Sequence, residues 1–194
     1  MALRPNREWR LGLAALAGVV LAVVPLVAPA GATVFLAKDE ALALAFPGND
    51  RIEERVFILT DAQKTEVERR AHAPLASQLW TLHVGWKGGE VLGYAVIDSQ
   101  VVRTMPATTM VVIDPKGAVR RVDVLAFNEP PEYLPTVRWL EQFPAHGLDD
   151  DLKLGAGVQG ITGATLSAQS VTAGVRRALA LFTVLVQGTQ DGGK

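Results

Sequence analysis

Two tight-turn signals in the middle of the chain constrain its fold most. The first is Gly88-Gly89, which separates residues 80–86 from residues 91–97. Polar and apolar side chains alternate in residues 80–86, and a strand-like pattern resumes after the turn, as expected of half-buried strands. A glycine pair between two such segments favours a two-residue hairpin turn. We therefore predict an antiparallel hairpin here.

The second turn signal is Asp114-Pro115-Lys116-Gly117, between residues 110–113 and residues 119–125. Proline presets the backbone angle that such a turn needs, and glycine accepts the conformations that other residues avoid. The pattern predicts a second hairpin directly after the first. Together the two hairpins imply four antiparallel strands.

Helical patterns lie outside these hairpins. Residues 61–72 are rich in helix formers and charges and follow a Thr60 or Asp61 cap, which predicts a surface helix. Residues 167–186 place apolar side chains at helical spacing, which predicts a C-terminal helix with one buried stripe. The stripe consists of Val171, Val175, Ala178, Leu179, Phe182 and Val186.

Strands and helices are segregated along the chain, which indicates α+β architecture: an antiparallel β-sheet built from hairpins with flanking helices and a C-terminal helix. Residues 128–157 contain four prolines and interleaved aromatics, so we predict a long irregular segment there. The polar tail from Gln187 to Lys194 is expected to fray.

The composition excludes several functions. The 19 basic and 20 acidic side chains give a formal charge of −1, which offers no electrostatic footprint for nucleic acid. The chain has no cysteine, so disulfides, iron-sulfur clusters, thiolate metal sites and covalent c-type haem are excluded. Redox chemistry would therefore need an organic cofactor.

The N-terminus has the pattern of an export signal. Arg4, Arg7 and Arg10 precede an uncharged apolar run from Leu11 to about Leu36. We interpret residues 1–32 as a signal peptide or an N-terminal membrane anchor, and residues 33–194 as the folded domain. The charge pattern places the body on the extracytoplasmic, periplasmic side, with the inner membrane as the possible anchor site. Cleavage and anchoring both stay open.

The stretch most suggestive of chemistry is residues 160–167, Gly-Ile-Thr-Gly-Ala-Thr-Leu-Ser, directly before the predicted C-terminal helix. Unpaired N–H groups and the positive end of the helix dipole make such a turn a natural seat for phosphate. The alternative is structural: Ser167 or Thr165 caps the helix, and the glycines only make the turn.

Residues 162–167, Thr-Gly-Ala-Thr-Leu-Ser, resemble the flavinylation motif of the FMN-binding domain family. That family includes the covalent-FMN subunits of sodium-pumping quinone reductases and of ferredoxin-linked electron-transport complexes. The likeness continues upstream in the two hairpins and in Asn128-Glu129. The resemblance implies a covalent FMN, held by a phosphoester on Thr165 and attached by a separate flavin transferase.

The resemblance also implies the remaining cofactor-binding residues. Glu129 is expected near the flavin ring, while the other residues shape the turn and donate hydrogen bonds to the phosphate. These others are Gly160, Thr162, Gly163, Ala164, Leu166 and Ser167. The motif usually opens with an acidic residue where this chain has Gln159, and the loop after Pro130 departs from the family pattern.

The resemblance implies electron transfer in a membrane-linked redox chain, with membrane redox proteins as partners. No convincing acid-base pair is legible, so we expect an electron carrier and assign no catalytic residue. A flavin-dependent reductase of small molecules is the first alternative. A flavin-free anion-binding or sensory module is the second.

Three further residue types have open interpretations. Aromatic side chains at Tyr133, Trp139 and Phe143 could stack on the flavin or simply pin the loop to the core. The chain has 3 histidines, without metal-ligand spacing, and we predict no metal site. Residues 149–151 are three consecutive aspartates, interpreted as a solvated loop, with a cation site as the alternative.

Overall fold

A computed structural model describes residues 33–149 and 151–188, which belong to one compact unit. The segment interpreted as signal peptide or anchor, the end of the predicted tail and the middle aspartate of residues 149–151 lie outside the described residues. The centre of the fold is an antiparallel sheet with strand order β1-β6-β5-β4-β3-β2. The predicted α+β class is confirmed.

The strands are β1 (Thr33–Val34), β2 (Arg51–Ile58), β3 (Leu79–Lys87), β4 (Glu90–Val101), β5 (Pro106–Ile113) and β6 (Val119–Phe127). The helices are α1 (Lys38–Ala45), α2 (Asp61–Ala71), α3 (Val137–Leu140) and α4 (Thr165–Phe182). A 3-10 turn spans Pro131–Tyr133, and a π-helical turn, Thr183–Gln187, continues α4.

Both predicted hairpins are present. Gly88 and Gly89 have φ values of 58° and 85°, and Lys87 pairs with Glu90, as in a two-residue turn in which both central residues need positive φ. In the second hairpin the carboxylate of Asp114 accepts hydrogen bonds from the N–H groups of Lys116 and Ala118 at 2.8 and 2.9 Å. Turn chemistry thus sets the pairing of β3 with β4 and of β5 with β6.

The four predicted strands are present, and two more strands, which were not predicted, pair at the sheet edges. β2 pairs with β3 along eight residues, and the two-residue β1 pairs with β6. β2 reads Arg-Ile-Glu-Glu-Arg-Val-Phe-Ile, and its charged first half hides the alternation that marks a strand. Charges are common on edge strands, where they oppose pairing with other chains.

The sheet is covered on both faces. Alternate residues of β4 and β5 contribute to different clusters: Tyr94 and Val111 pack with α2 and α4, whereas Ala95 and Met110 pack with α1. α1 was not predicted from the sequence. Its position depends on a tertiary contact: Phe46, at its C-terminal cap, occupies the space above Gly85.

The C-terminal helix is confirmed, but it begins at Thr165, and its predicted single buried stripe was wrong. From Gly174 to Phe182 every residue is buried, including Arg176 and Arg177. The Arg177 guanidinium donates to the carboxylate of buried Asp98 at 2.6 and 2.9 Å. Paired in this way, a charged side chain can lie in the interior, so the helix is enclosed on several sides.

The described residues between 128 and 164 are irregular, as predicted for most of this range, apart from the 3-10 turn and the four-residue α3. The predicted surface helix is α2, which begins with a capping box. Among the described residues, no helix is both long and apolar enough to cross a membrane.

Candidate functional site

A glycine-centred turn leads into α4. The backbone N–H of Ala164 donates to the carbonyl of Ile161 at 3.1 Å, which closes a four-residue turn with Thr162 and Gly163 in the middle. Gly163 has a φ of 81°, in the left-handed region that glycine adopts at no steric cost. The small residues of the motif therefore direct the chain into the helix.

The first turn of α4 keeps its N–H groups free. The N-cap residue is Ala164, which has no side-chain acceptor. Within the described residues, the N–H groups of Thr165, Leu166 and Ser167 have no hydrogen-bond partner. The first turn also contains no acidic residue. This helix start is therefore a concentration of unpaired donors at the positive end of the helix dipole.

The structural alternative for this motif, in which Thr165 or Ser167 caps the helix, was wrong. Both residues lie inside the first turn rather than at its cap, and their hydroxyls make no capping hydrogen bond. Thr165 is exposed, whereas Ser167 is only 2% exposed. The Thr165 hydroxyl is thus accessible from outside the protein.

A cavity of about 190 Å³ opens beside this helix start. Two segments from distant parts of the chain line it on the side facing α4: the turn between β4 and β5, and the start of the irregular loop. Its lining residues are Val102, Arg103, Glu129, Tyr133, Gly163, Ala164, Thr165, Leu166 and Ser167. Six of the eight residues predicted to bind the cofactor are therefore brought together.

Gly160 and Thr162 do not line this cavity. Both are exposed, and Thr162 belongs to the turn that precedes the helix. A role for them in shaping that turn is compatible with their position. A direct role in binding stays a prediction.

Glu129 lines the cavity and is already engaged by the protein. Its Oε1 accepts three backbone N–H groups, from Arg103 at 3.0 Å, Thr104 at 2.6 Å and Met105 at 2.8 Å. The N–H of Thr104, followed by that of Met105, holds the pKa of the Glu129 carboxyl below its usual value, because these donors stabilise the charged form. Glu129 thus fixes the turn between β4 and β5.

Arg103 was not predicted as a site residue. It is exposed, it lines the cavity, and its side chain makes no ion pair or hydrogen bond with the described residues. A lone arginine in a polar turn carries no sequence signal. Only the pairing of β4 with β5 brings this turn to the start of α4.

The three aromatic candidates separate into two groups. Trp139 and Phe143 are buried in the core, in edge-to-face contact at 5.3 Å between ring centroids. The Trp139 Nε1 donates to the carbonyl of Gln159 at 2.8 Å, so this residue ties the loop to the segment before the motif. Tyr133 is half-buried and lines the cavity. Of the three, Tyr133 alone is placed where it could contact a ligand.

The other residues considered from the sequence lie elsewhere. His83 is buried in β3, and burial lowers the pKa of its imidazole. The carboxylate of Asp149 accepts the N–H of Leu152 at 2.9 Å, within an exposed loop. In the described ranges, no three acidic, histidine or cysteine side chains form a group able to hold a metal ion.

This arrangement suits a phosphate that continues into a larger group. Free N–H donors, an exposed hydroxyl and an arginine surround one small cavity, and these are the groups that bind phosphate oxygens. A phosphate at Thr165 would face the unpaired donors of α4. The residues present therefore fit the phosphate end of a flavin mononucleotide.

Comparison with known proteins agrees with this geometry. The family model described as the FMN-binding domain matches residues 105–180. The match covers β5, β6, the irregular segment and most of α4, and so it includes both Glu129 and the motif. No curated protein matches the chain. Residues 105–180 are therefore similar to an FMN-binding domain, and this similarity supports the binding of a flavin by the chain.

Proposed function

We propose that this protein carries one FMN on Thr165 through a phosphoester and passes electrons within a membrane-linked redox chain. The observation that carries the proposal is the exposed Thr165 hydroxyl at an uncapped helix start, inside the segment that matches the FMN-binding domain. When bound, a flavin accepts and returns one or two electrons. The chain's own residues hold and orient it.

Attachment requires an activated hydroxyl. A threonine hydroxyl is a weak nucleophile at neutral pH and needs an adjacent general base. Glu129 is the one carboxylate that lines the cavity among the described residues, and three N–H groups occupy one of its oxygens. A separate flavin transferase therefore supplies the base. The Thr165 Oγ bonds to the FMN phosphorus of an FAD donor, the pyrophosphate bond breaks, AMP leaves, and the hydroxyl proton passes to the transferase.

A carrier role is supported by the size of the cavity. Pockets that enclose a drug-sized ligand commonly measure about 300 to 1,000 Å³. The cavity here is about 190 Å³, which is below this range. A flavin ring outside the cavity is accessible to a redox partner. A covalent bond would keep it on the protein during this exchange.

The proposed location is extracytoplasmic, with the N-terminal residues as a signal peptide or anchor. The motivation is the sequence pattern of arginines followed by a long apolar run. Fractionation of the native host, followed by N-terminal sequencing of the mature protein, tests this part separately. Recovery of the full-length chain in the cytoplasm would contradict it.

The attachment is tested by co-expression with a flavin transferase. The expected result is a fluorescent band on a denaturing gel under ultraviolet light, and an intact mass increased by one FMN less one water. Thr165→Ala should abolish both signals. Thr162→Ala is the matched control, since it removes a hydroxyl three residues earlier in the same motif and should keep both. An unmodified wild-type chain would contradict the proposal.

Gln159 offers a graded test of recognition by the transferase. Its side chain is exposed before the motif, where the family pattern has an acidic residue. We expect Gln159→Glu to raise the fraction of flavinylated protein when the transferase is limiting. Equal modification of both proteins in a time course would show that the acidic residue is dispensable here.

Steady-state assays distinguish the carrier from the alternative, a reductase of small molecules. Purified flavin-loaded protein is mixed with a reductant and a panel of soluble acceptors. A carrier should show little turnover with them and rapid exchange with a membrane fraction of its host. Saturable turnover with one soluble compound would favour the enzyme.

A further inference from the structure

The cavity beside α4 is lined by one arginine and one glutamate, which carry charges of opposite sign. Arg103 and Glu129 are the two charged residues of its lining among the described residues. A phosphate in this cavity is repelled by the carboxylate and attracted by the guanidinium. Arg103 is therefore the one charged side chain of this lining, among the described residues, that attracts an anion.

Glu129 holds the backbone of Arg103 and of the two residues that follow it. Its Oε1 draws together the backbone N–H groups of residues 103 to 105, and Val102 closes the same turn by donating to the Met105 carbonyl at 3.1 Å. Glu129 is only 6% exposed, so its carboxylate is held inside the structure that it organises. The turn that carries Arg103 is thus built around this single oxygen.

We propose that Arg103 is the phosphate-binding cation of this site and that Glu129 is its positioning residue. This inference rests on the proposed function, since it assigns residues to the phosphate of the same flavin. Arginine suits the role because its planar fork presents several donors to phosphate oxygens. It would complete a set in which the free N–H groups of α4 approach the phosphate from the other side.

The charge of Glu129 makes the two roles separable by experiment. If Glu129 acted only through its charge, its removal would strengthen the binding of an anion. If it positions Arg103, its removal would weaken that binding although a negative charge is lost. The sign of the change in Glu129→Ala therefore distinguishes positioning from simple electrostatics.

The test uses apoprotein, produced without a flavin transferase, and compares FMN with riboflavin, which lacks the phosphate. Amide chemical shifts of residues 163–167 are followed by NMR during each titration. The ratio of the two dissociation constants isolates the phosphate contribution, because general damage to the site weakens both ligands alike. A hydrogen bond to a charged group contributes about 1.5 to 3 kcal/mol, which corresponds to roughly tenfold or more in affinity.

We expect wild-type apoprotein to prefer FMN over riboflavin, and Arg103→Gln to reduce this preference about tenfold. Arg103→Lys should retain part of it. Glu129→Ala should lower it, and Glu129→Gln should do so less, since the amide oxygen still accepts hydrogen bonds. Arg138→Gln and Glu132→Gln are matched controls: both residues are exposed, do not line the cavity, and should leave the preference unchanged.

No preference for FMN in the wild type, or a preference unchanged in Arg103→Gln, would overturn the assignment of Arg103. A stronger preference in Glu129→Ala would overturn the positioning role. Neither result depends on covalent attachment. If Thr165 is flavinylated but the preference for FMN does not depend on Arg103, the proposed function stands and this inference fails. If Thr165 is not flavinylated but the preference does depend on Arg103, the inference stands and the phosphoester is ruled out.

Discussion

α2 and α4 are both well-formed helices, but their N-termini are built in opposite ways. α2 begins with a capping box, in which Thr60 and Gln63 exchange hydrogen bonds at 3.0 and 3.2 Å. α4 begins at Ala164 without a side-chain acceptor and without an acidic residue in its first turn. N-terminal N–H groups are therefore capped in α2, whereas those of α4 stay free.

The remaining helices agree with this contrast. α3 is capped by the Thr136 side chain, and α1, although uncapped, has Asp39 and Glu40 in its first turn. Each of these compensates the free donors or the helix dipole. Among the described residues, α4 alone has neither device. This difference supports the proposal that the free N–H groups of α4 bind the flavin phosphate.

The largest effect on stability is expected at Gly163, in the turn that leads into α4. Gly163→Ala should lower the free energy of unfolding by about 1 to 2 kcal/mol, because alanine is strained at positive φ. No neighbouring atom lies within 4 Å of an added Cβ at this position, so the cost is purely conformational. Urea denaturation measures it.

Gly160→Ala is the matched control for this substitution. Its added Cβ also meets nothing within 4 Å, and it lacks positive φ. We expect a neutral or slightly stabilising change, since alanine restricts the unfolded chain. Equal losses in both variants would show that the geometry of the Gly163 turn is not what matters.

The next effect tests the capped helix. Thr60→Ala removes the capping hydrogen bond of α2 and should lower the free energy of unfolding by about 1 kcal/mol. Thr60→Ser, which keeps the acceptor, should restore most of it. An unchanged denaturation midpoint in Thr60→Ala would show that the cap of α2 does not stabilise the protein, which would contradict the contrast with α4.

A pH-dependent effect is expected at Glu129, whose carboxylate accepts the backbone N–H groups of residues 103–105. Its folded-state pKa is lowered, so it stabilises the protein above its unfolded pKa of about 4.3, and this stabilisation is lost as pH falls through the folded pKa. Denaturation midpoints between about pH 3 and pH 7 should therefore fall less steeply on acidification in Glu129→Gln. Parallel pH profiles would contradict this expectation.

The smallest effect on stability is expected at Thr165. Because the residue is exposed and makes no capping bond, Thr165→Ala should change the free energy of unfolding by less than about 0.5 kcal/mol. The same substitution should abolish flavin attachment. A loss comparable to that of Thr60→Ala would show that Thr165 has a structural role after all.

Local signals predicted the parts of the fold that local chemistry determines. The glycine pair at Gly88-Gly89 and the Asp-Pro-Lys-Gly turn specify their hairpins, and the capping residues before α2 specify its start. The motif at the start of α4 was also predicted as part of the site, and its residues 163–167 line the cavity. These features need only the chemistry of residues close together in sequence.

Features that depend on distant contacts were missed. β2 has too many charges to read as a strand and is defined by its partner β3. The contact of Phe46 with the bare backbone at Gly85 cannot be inferred from either segment alone. Arg177 was not part of the predicted buried stripe, and in the interior it pairs with Asp98, 79 residues earlier. Arg103 was missed for the same reason.

The hydrogen bonds of Glu129 can form only after most of the sheet has been synthesised. They span 24 to 26 residues and cross from the end of β6 to the turn between β4 and β5. A translation product that stopped before this glutamate could still contain both hairpins. The turn between β4 and β5, which contains Arg103, would however lack the carboxylate that accepts its N–H groups. The conformation of the turn between β4 and β5 thus depends on a residue that is synthesised only after β6.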